Sequence, residues 1–147
     1  MWYEDFLNGN RISIRYFDGL LETILLGRSS SCGMNGTCTC QFVVESDGSV
    51  YPCDFYVLDK WRLGNIQDMT MKELFETNKN HEFIKESFKV HEECQKCKWF
   101  KLCKGGCRRC RDSKEDSDLE LNYYCQSYKE FFEYAFPRLI NVARNIK

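Results

Sequence analysis

Apolar positions in this chain repeat with two different periods, and the changes of period mark its elements. Phe17, Leu20, Leu21, Ile24 and Leu25 recur at i, i+3, i+4, i+7 and i+8, one face of a helix, and Gly27 follows where a left-handed cap is wanted. Residues 41–45 and 49–52 are β-prone and flank Ser46-Asp47-Gly48, the strongest hairpin signal in the chain. If the turn centres on Asp47-Gly48, facing residues have numbers summing to about 94 to 96, because antiparallel strands count in opposite directions. That register brings Cys53 beside Cys40 and within reach of Cys38, and it does not choose between the two. Thr70 and Glu73 form a capping box ahead of Leu74 and Phe75, and Asn80 is read as the cap of a second short helix carrying Phe83, Ile84 and Phe88. These helices are expected to cover the hairpin. Leu121, Tyr124, Cys125, Tyr128, Phe131, Phe132 and Ala135 share one face of a last helix, which Pro137 is expected to kink or end. Cys125 therefore points inward. Residues 28–40 and 94–110 read as irregular loops, and 111–120 as a charged, mobile connection.

This pattern predicts a small α+β fold, a hairpin with short flanking helices closed by a C-terminal helix. A length of 147 residues fits one domain. Lys plus Arg (21) nearly balance Asp plus Glu (22), so no charge excess advertises nucleic acid or an acidic membrane. The opening Met1-Trp2-Tyr3-Glu4-Asp5 is not a signal peptide and no later run is apolar enough to span a bilayer, which reads as a soluble, cytoplasmic protein. Ten cysteines in a reducing compartment point to metal or catalytic thiols rather than disulfides.

Cys94, Cys97, Cys103 and Cys107 form a C-x2-C-x5-C-x3-C run, in which close pairs give a metal its bite and longer gaps let the backbone wrap a cluster. With Cys32, Cys38, Cys40 and Cys53 upstream and Cys110 and Cys125 downstream, the count supports two four-cysteine sites and two spare thiols. Thiolates suit zinc as well as iron–sulfur centres, and Cys94-x2-Cys97 with Cys107-x2-Cys110 also looks like a paired zinc knuckle. Spacing alone leaves both metals open. His81 and His91 lie in charged neighbourhoods outside the cysteine pairs and are given no role.

The order Cys32-x5-Cys38-x14-Cys53, Cys94-x2-Cys97-x5-Cys103-x3-Cys107, then Cys125, together with the hairpin through Pro52-Cys53-Asp54 and Leu63-Gly64-Asn65-Ile66, resembles the SPASM domain of radical S-adenosylmethionine enzymes. Among these it is most similar to the anaerobic sulfatase-maturating enzymes, over roughly residues 32 to 125. The resemblance implies a 32–125 twin-cluster domain, with 1–31 a helical lead-in from a radical S-adenosylmethionine barrel and 126–147 a C-terminal helix. It implies two 4Fe-4S clusters, the first on Cys32, Cys38, Cys53 and Cys107 and the second on Cys94, Cys97, Cys103 and Cys125. Cys40 and Cys110 are then left over, and zinc is a possible substitute in the isolated chain.

The resemblance also makes Asp54 the base that takes a proton from a sulfatase cysteine or serine during oxidation to formylglycine. A 5'-deoxyadenosyl radical removes the Cβ hydrogen, and an auxiliary cluster accepts the second electron. The partners implied are the sulfatase polypeptide and the barrel of the same parent chain. On the residues alone, Asp54 reads instead as an ordinary capping or hydrogen-bonding carboxylate at a strand end. The resemblance places the C-x3-C-x2-C motif that binds and cleaves the cofactor in the barrel, outside this chain; the run with that spacing here, Cys103-x3-Cys107-x2-Cys110, has its first two cysteines among the implied auxiliary ligands, so the chain is expected to be a C-terminal segment that does not turn over alone. The alternatives are another SPASM-bearing peptide maturase, such as one forming thioether bonds, and a zinc-stabilised protein-interaction module.

Overall fold

In the computed structural model the described residues are 1–112 and 120–146; most of the charged connection expected over 111–120 lies outside them. They form two compact units, residues 1–36 with 90–146 and residues 37–89, where the length suggested one.

In the first unit, α1 (Trp2–Leu7) and α2 (Arg15–Leu26) pack on the long helix α7 (Cys125–Asn145). The predicted period of α2 holds: Leu20 and Leu21 are buried, Phe17 and Ile24 pack against the same core, and Gly27 caps the helix at φ 72°. Leu25, read as part of that face, is exposed. Phe132, Ala135, Leu139, Val142 and Ala143 meet this face from α7, and Leu102 joins them from α6 (Phe100–Cys103). Each fully buried large apolar side chain here contributes about 1.5–3 kcal/mol. Phe17 stacks on Phe131 with ring centres 6.2 Å apart, and Asn141 Nδ2 donates to the Tyr3 hydroxyl at 2.6 Å.

Pro137 neither ends nor interrupts α7. Its ring is on the solvent side, so the Glu133 carbonyl that loses its i+4 donor can turn to water, while the core residues on both sides hold the axis. The helix also starts later than its apolar pattern, at Cys125, with Tyr124 as its N-cap.

The second unit is built on a three-stranded antiparallel sheet in the order β1 (Val43–Val44), β2 (Ser49–Tyr51), β3 (Gly64–Asn65). Val43 faces Tyr51 and Val44 faces Val50, the register anticipated from the Asp47-Gly48 turn. At Gly48 φ is +82° and a Cβ would lie 2.6 Å from Asn65 Oδ1, so the turn needs glycine on both counts. The third strand pairs Val50 with Gly64 and was not foreseen; at two residues it is too short to show alternation.

Thr70 caps α3 (Met71–Phe75) with the expected box: Glu73 N–H donates to Thr70 Oγ1, and Thr70 N–H donates to the Glu73 carboxylate. The cap of α4 (Asn78–Glu86) is Thr77, not Asn80. Asn80 is instead buried inside the helix, where its side-chain amide donates to the Phe75 carbonyl at 2.7 Å. Phe83 is buried as expected, but Phe88 lies past the helix end and is exposed.

Two apolar clusters fill this unit. Val50, Leu63 and Leu74 form one, with Cys40 and Phe42 against it. Tyr56, Trp61 and Phe83 form the other through edge-on ring contacts at 5.0–6.4 Å, with Cys38, Cys53 and Ile84 around them. A domain of this composition is a mixed α+β fold, as the sequence pattern predicted.

Candidate metal centre

All ten cysteines are free thiols. Residues 94–110 are not the irregular loop expected: they hold α5 (Glu92–Lys96), α6 and a 3-10 turn at Arg108–Cys110. His91, given no role from the sequence, caps α5 by accepting the Glu93 N–H on Nδ1 at 3.3 Å and so fixes the turn that presents Cys94.

Cys94 and Cys97 from α5 and its end, Cys103 from the end of α6 and Cys125 from the start of α7 line one cavity, which is partly open to solvent. Its other walls are largely aromatic, with Trp99, Phe100, Tyr128 and Phe132. Asn122 sets the entry of α7 to this cavity. Its buried side-chain amide donates to the Gly105 carbonyl at 2.9 Å, its Oδ1 accepts the Tyr124 N–H at 2.9 Å, and its carbonyl accepts the Cys125 N–H at 2.8 Å. An asparagine just ahead of a helix is the only sequence signal for this role.

Two of these thiols, Cys94 and Cys103, are held in the protonated form by their surroundings. Burial pushes the Cys103 thiol up to about 11, and proximity to Cys94, Cys125 and Cys97 pushes the same way, against a hydrogen bond from the Gly105 N–H. Cys94 is raised by burial and then by Cys125 and Cys97, while the Arg111 guanidinium opposes the shift. Without metal such thiols stay protonated, so loading releases protons. Among the described residues, no three His, Cys, Asp or Glu side chains are gathered tightly enough to hold one metal ion. Four soft thiol donors lining one cavity are a set that suits an iron–sulfur cluster, as it suits zinc. Trp99 adds to the fit: its Nε1–H is buried with no hydrogen-bond acceptor, and leaving such a donor unsatisfied costs about 1–3 kcal/mol.

The other predicted ligands fall in pairs. In the first unit Cys32 opens a 3-10 turn, and Cys107 approaches that turn, its Cβ 4.0 Å from where a Cβ on Gly33 would lie. Gly36 closes the same loop at φ +70°, where a Cβ would meet the Lys104 carbonyl at 2.4 Å. In the second unit Cys38 and Cys53 sit against the Tyr56–Trp61–Phe83 cluster, close enough that Cys38 helps raise the Cys53 thiol; burial is the larger cause of a value near 12. The Cys38 N–H donates to the buried Ser87 Oγ at 2.8 Å. Cys40, which the hairpin count put beside Cys53, packs on the Val50 cluster, and burial raises its thiol. Cys110 neighbours Cys107, and burial followed by that neighbour raises its thiol.

Asp54 follows Cys53 at the start of a 3-10 turn and is exposed. Its Oδ1 accepts the Phe55 N–H at 3.1 Å and the Cys53 thiol at 3.3 Å. Arg108 and Arg111 are buried, at 6 % and 1 % exposure. Arg108 pairs with Asp112, and Arg111 Nη2 donates to the Gly36 carbonyl at 3.3 Å.

The profile of the SPASM family, an iron–sulfur cluster-binding domain, matches residues 32–98. The whole chain is 96 % identical to part of the cysteine-type anaerobic sulfatase-maturating enzyme of Clostridium perfringens (strain 13 / Type A), and spans 40 % of that protein. The serine-type anaerobic sulfatase-maturating enzyme of Bacteroides thetaiotaomicron is 30 % identical over 126 residues, covering 84 % of this chain and 30 % of its own length. A solved structure of native anSMEcpe with bound AdoMet and Cp18Cys peptide superposes with a TM-score of 0.96 at 95 % identity, covering 99 % of this chain and 40 % of that one. The chain thus spans about two fifths of the C. perfringens relative. The order of its cysteines, the hairpin register and these matches agree that the chain belongs to the SPASM family of iron–sulfur cluster-binding domains, in the form found in the anaerobic sulfatase-maturating enzymes.

Proposed function

We propose that this chain is the auxiliary-cluster domain of a radical S-adenosylmethionine enzyme that oxidises a sulfatase cysteine to formylglycine. The observation that carries the reading is near-identity along the entire chain to a cysteine-type enzyme. The cavity walled by Cys94, Cys97, Cys103 and Cys125 supports it, because it offers the donor set that such a domain requires.

On this reading those four thiolates hold one 4Fe-4S cluster, and Cys32, Cys38, Cys53 and Cys107 hold another. When bound, such a cluster supplies an electron acceptor with no open coordination position. The chain's own residues do the rest. The aromatic walls give the second ligand set a largely apolar surround, and Asn122 and His91 hold α7 and α5 at the angles that present Cys125 and Cys94. Asp54 takes the proton from the substrate thiol. It is exposed, and its carboxylate is oriented by the Phe55 N–H, leaving Oδ2 to face an incoming group. The aromatic Phe55 beside it is 57 % exposed and offers apolar surface to a peptide. The sulfatase polypeptide and the cofactor-cleaving part of the same enzyme are the partners.

In the full-length enzyme, Asp54→Asn is expected to lower formylglycine yield by about 10²-fold or more, the usual scale for losing a general base. Iron and sulfide content should not change. Product formation at the wild-type rate, followed by mass spectrometry of a substrate peptide, would remove Asp54 from the mechanism.

A further inference from the structure

Trp99 stands two residues after Cys97 and caps α6, so its backbone is fixed between two thiols of the cavity; its carbonyl accepts the N–H groups of Leu102 and Cys103, each at 2.9 Å. The ring is held on one side by Phe132 and Phe136, at 5.7 and 5.2 Å between centres, and the Lys98 ammonium lies 5.1 Å from its centre. The indole lines the cavity with Cys94, Cys97, Cys103 and Cys125. Its Nε1–H is buried without an acceptor.

These facts belong together. Buried N–H groups without an acceptor are rare in folded proteins, and each one calls for a specific explanation. The ring packs against Phe132 and Phe136, and its N–H is buried where it stands. The cavity wall also carries Glu93, Lys129 and the Tyr128 hydroxyl, none of which accepts the indole N–H, and the acceptors that a cluster brings are its sulfurs. Hydrogen bonds to the sulfurs are one of the means by which a protein sets the potential of an iron–sulfur centre, because they favour the more negatively charged, reduced state.

We propose that the Trp99 indole N–H donates a hydrogen bond to a sulfur of the cluster held by Cys94, Cys97, Cys103 and Cys125 and raises the reduction potential of that cluster. This rests on the cluster-binding reading above and adds to it the residue that tunes one of the two centres. Trp99 acts through the cluster and touches no substrate, so it is a positioning residue.

The test is made on the full-length enzyme, anaerobically reconstituted, as wild type and as Trp99→Phe. Iron and sulfide are assayed first, and each cluster is then titrated by EPR at controlled potential. Trp99→Phe is expected to keep both auxiliary clusters and to make one of them harder to reduce. The shift should be as large as tenfold in the reduction equilibrium, about 59 mV for a one-electron couple. The other auxiliary cluster should titrate as in wild type. Deuterium ENDOR of the reduced wild-type protein in D2O should show an exchangeable deuteron coupled to the shifted cluster and lost in the variant. If Trp99→Phe does not load, benzothienylalanine at position 99, which keeps the bicyclic ring and removes only the N–H, is read in its place. Unchanged potentials with both clusters present would overturn the role of Trp99 alone, and would mean that the indole N–H faces the π surface of Phe136 instead. Wild-type protein without sulfide would overturn the cluster reading and this inference together.

Discussion

The Cys38 N–H is held by Ser87 Oγ at 2.8 Å, and the thiol shares its aromatic neighbours with Cys53, whereas Cys40, two positions on, is packed on Val50, Leu63 and Leu74. Both thiols lie near Cys53 in sequence register, and only their packing separates them. Cys40→Ala is therefore expected to leave the iron and sulfide of the full-length enzyme unchanged and to lower stability only by the small apolar loss of a thiol. Cys38→Ala, on the proposed ligand set, should remove about four irons per chain, the content of one 4Fe-4S cluster. Colorimetric iron and sulfide assays on anaerobically purified protein distinguish the two, and equal loss in both variants would overturn the assignment. This choice was not legible in the sequence because a hairpin fixes which residues face each other near the turn but not how the flanking backbone leaves the sheet. Phe42 shows why: its φ of 51° takes the chain out of extended conformation just before β1. The burial of Arg108 and Arg111 was equally hidden, since a run of basic residues reads as solvated until loops close over it.

Helices were read well where an apolar face repeats over several turns and poorly at their ends. The face of α2 and the capping box of α3 follow the sequence. The cap of α4 does not, because Thr77 and Asn80 are both competent caps, three residues apart, and burial of Asn80 decides between them. The short helices α5 and α6 have too few turns for a period to show. In α7 a strong local rule loses to packing: Phe132 and Ala135 before Pro137, and Leu139, Val142 and Ala143 after it, are buried in one core, and the helix runs through. The proline still leaves the Glu133 carbonyl without its helical donor. Pro137→Ala should thus stabilise the first unit, by about 1–3 kcal/mol, below the full interior-proline penalty because proline also restricts the unfolded chain. Thermal melts of wild type and variant, each with its clusters intact, measure this; an unchanged or lower melting temperature would show that the kinked carbonyl is fully satisfied by water.

At the scale of the whole molecule, the apolar core and the thiol cavity are supported differently. The core formed by Leu20, Phe132 and Leu139 is held by hydrocarbon, whereas α5, α6 and the first turn of α7 surround thiols that repel one another when ionised. Removing iron with a chelator under reducing conditions is therefore expected to strip hydrogen-exchange protection from residues 92–103 and from the start of α7. The middle of α7 and its partner α2 should keep theirs. Uniform loss across both regions would mean that the cluster, and not the hydrocarbon, holds the first unit together. The fold class and the hairpin register were legible because they depend on local periods and one turn. The cavity was not, because its four walls come from three helices and its shape depends on contacts such as Asn122 with Gly105. Its four thiols were singled out as proposed ligands through family resemblance instead. One consequence concerns biosynthesis. Cys125 opens α7, far along the chain from Cys103, and is the last of the four cavity thiols to be translated. A ribosome that has released Cys94, Cys97 and Cys103 has not yet supplied the fourth donor. On the proposed ligand set, a cluster delivered to this site would find its fourth donor only after α7 has emerged from the ribosome, which would place metallation late in the life of the nascent chain.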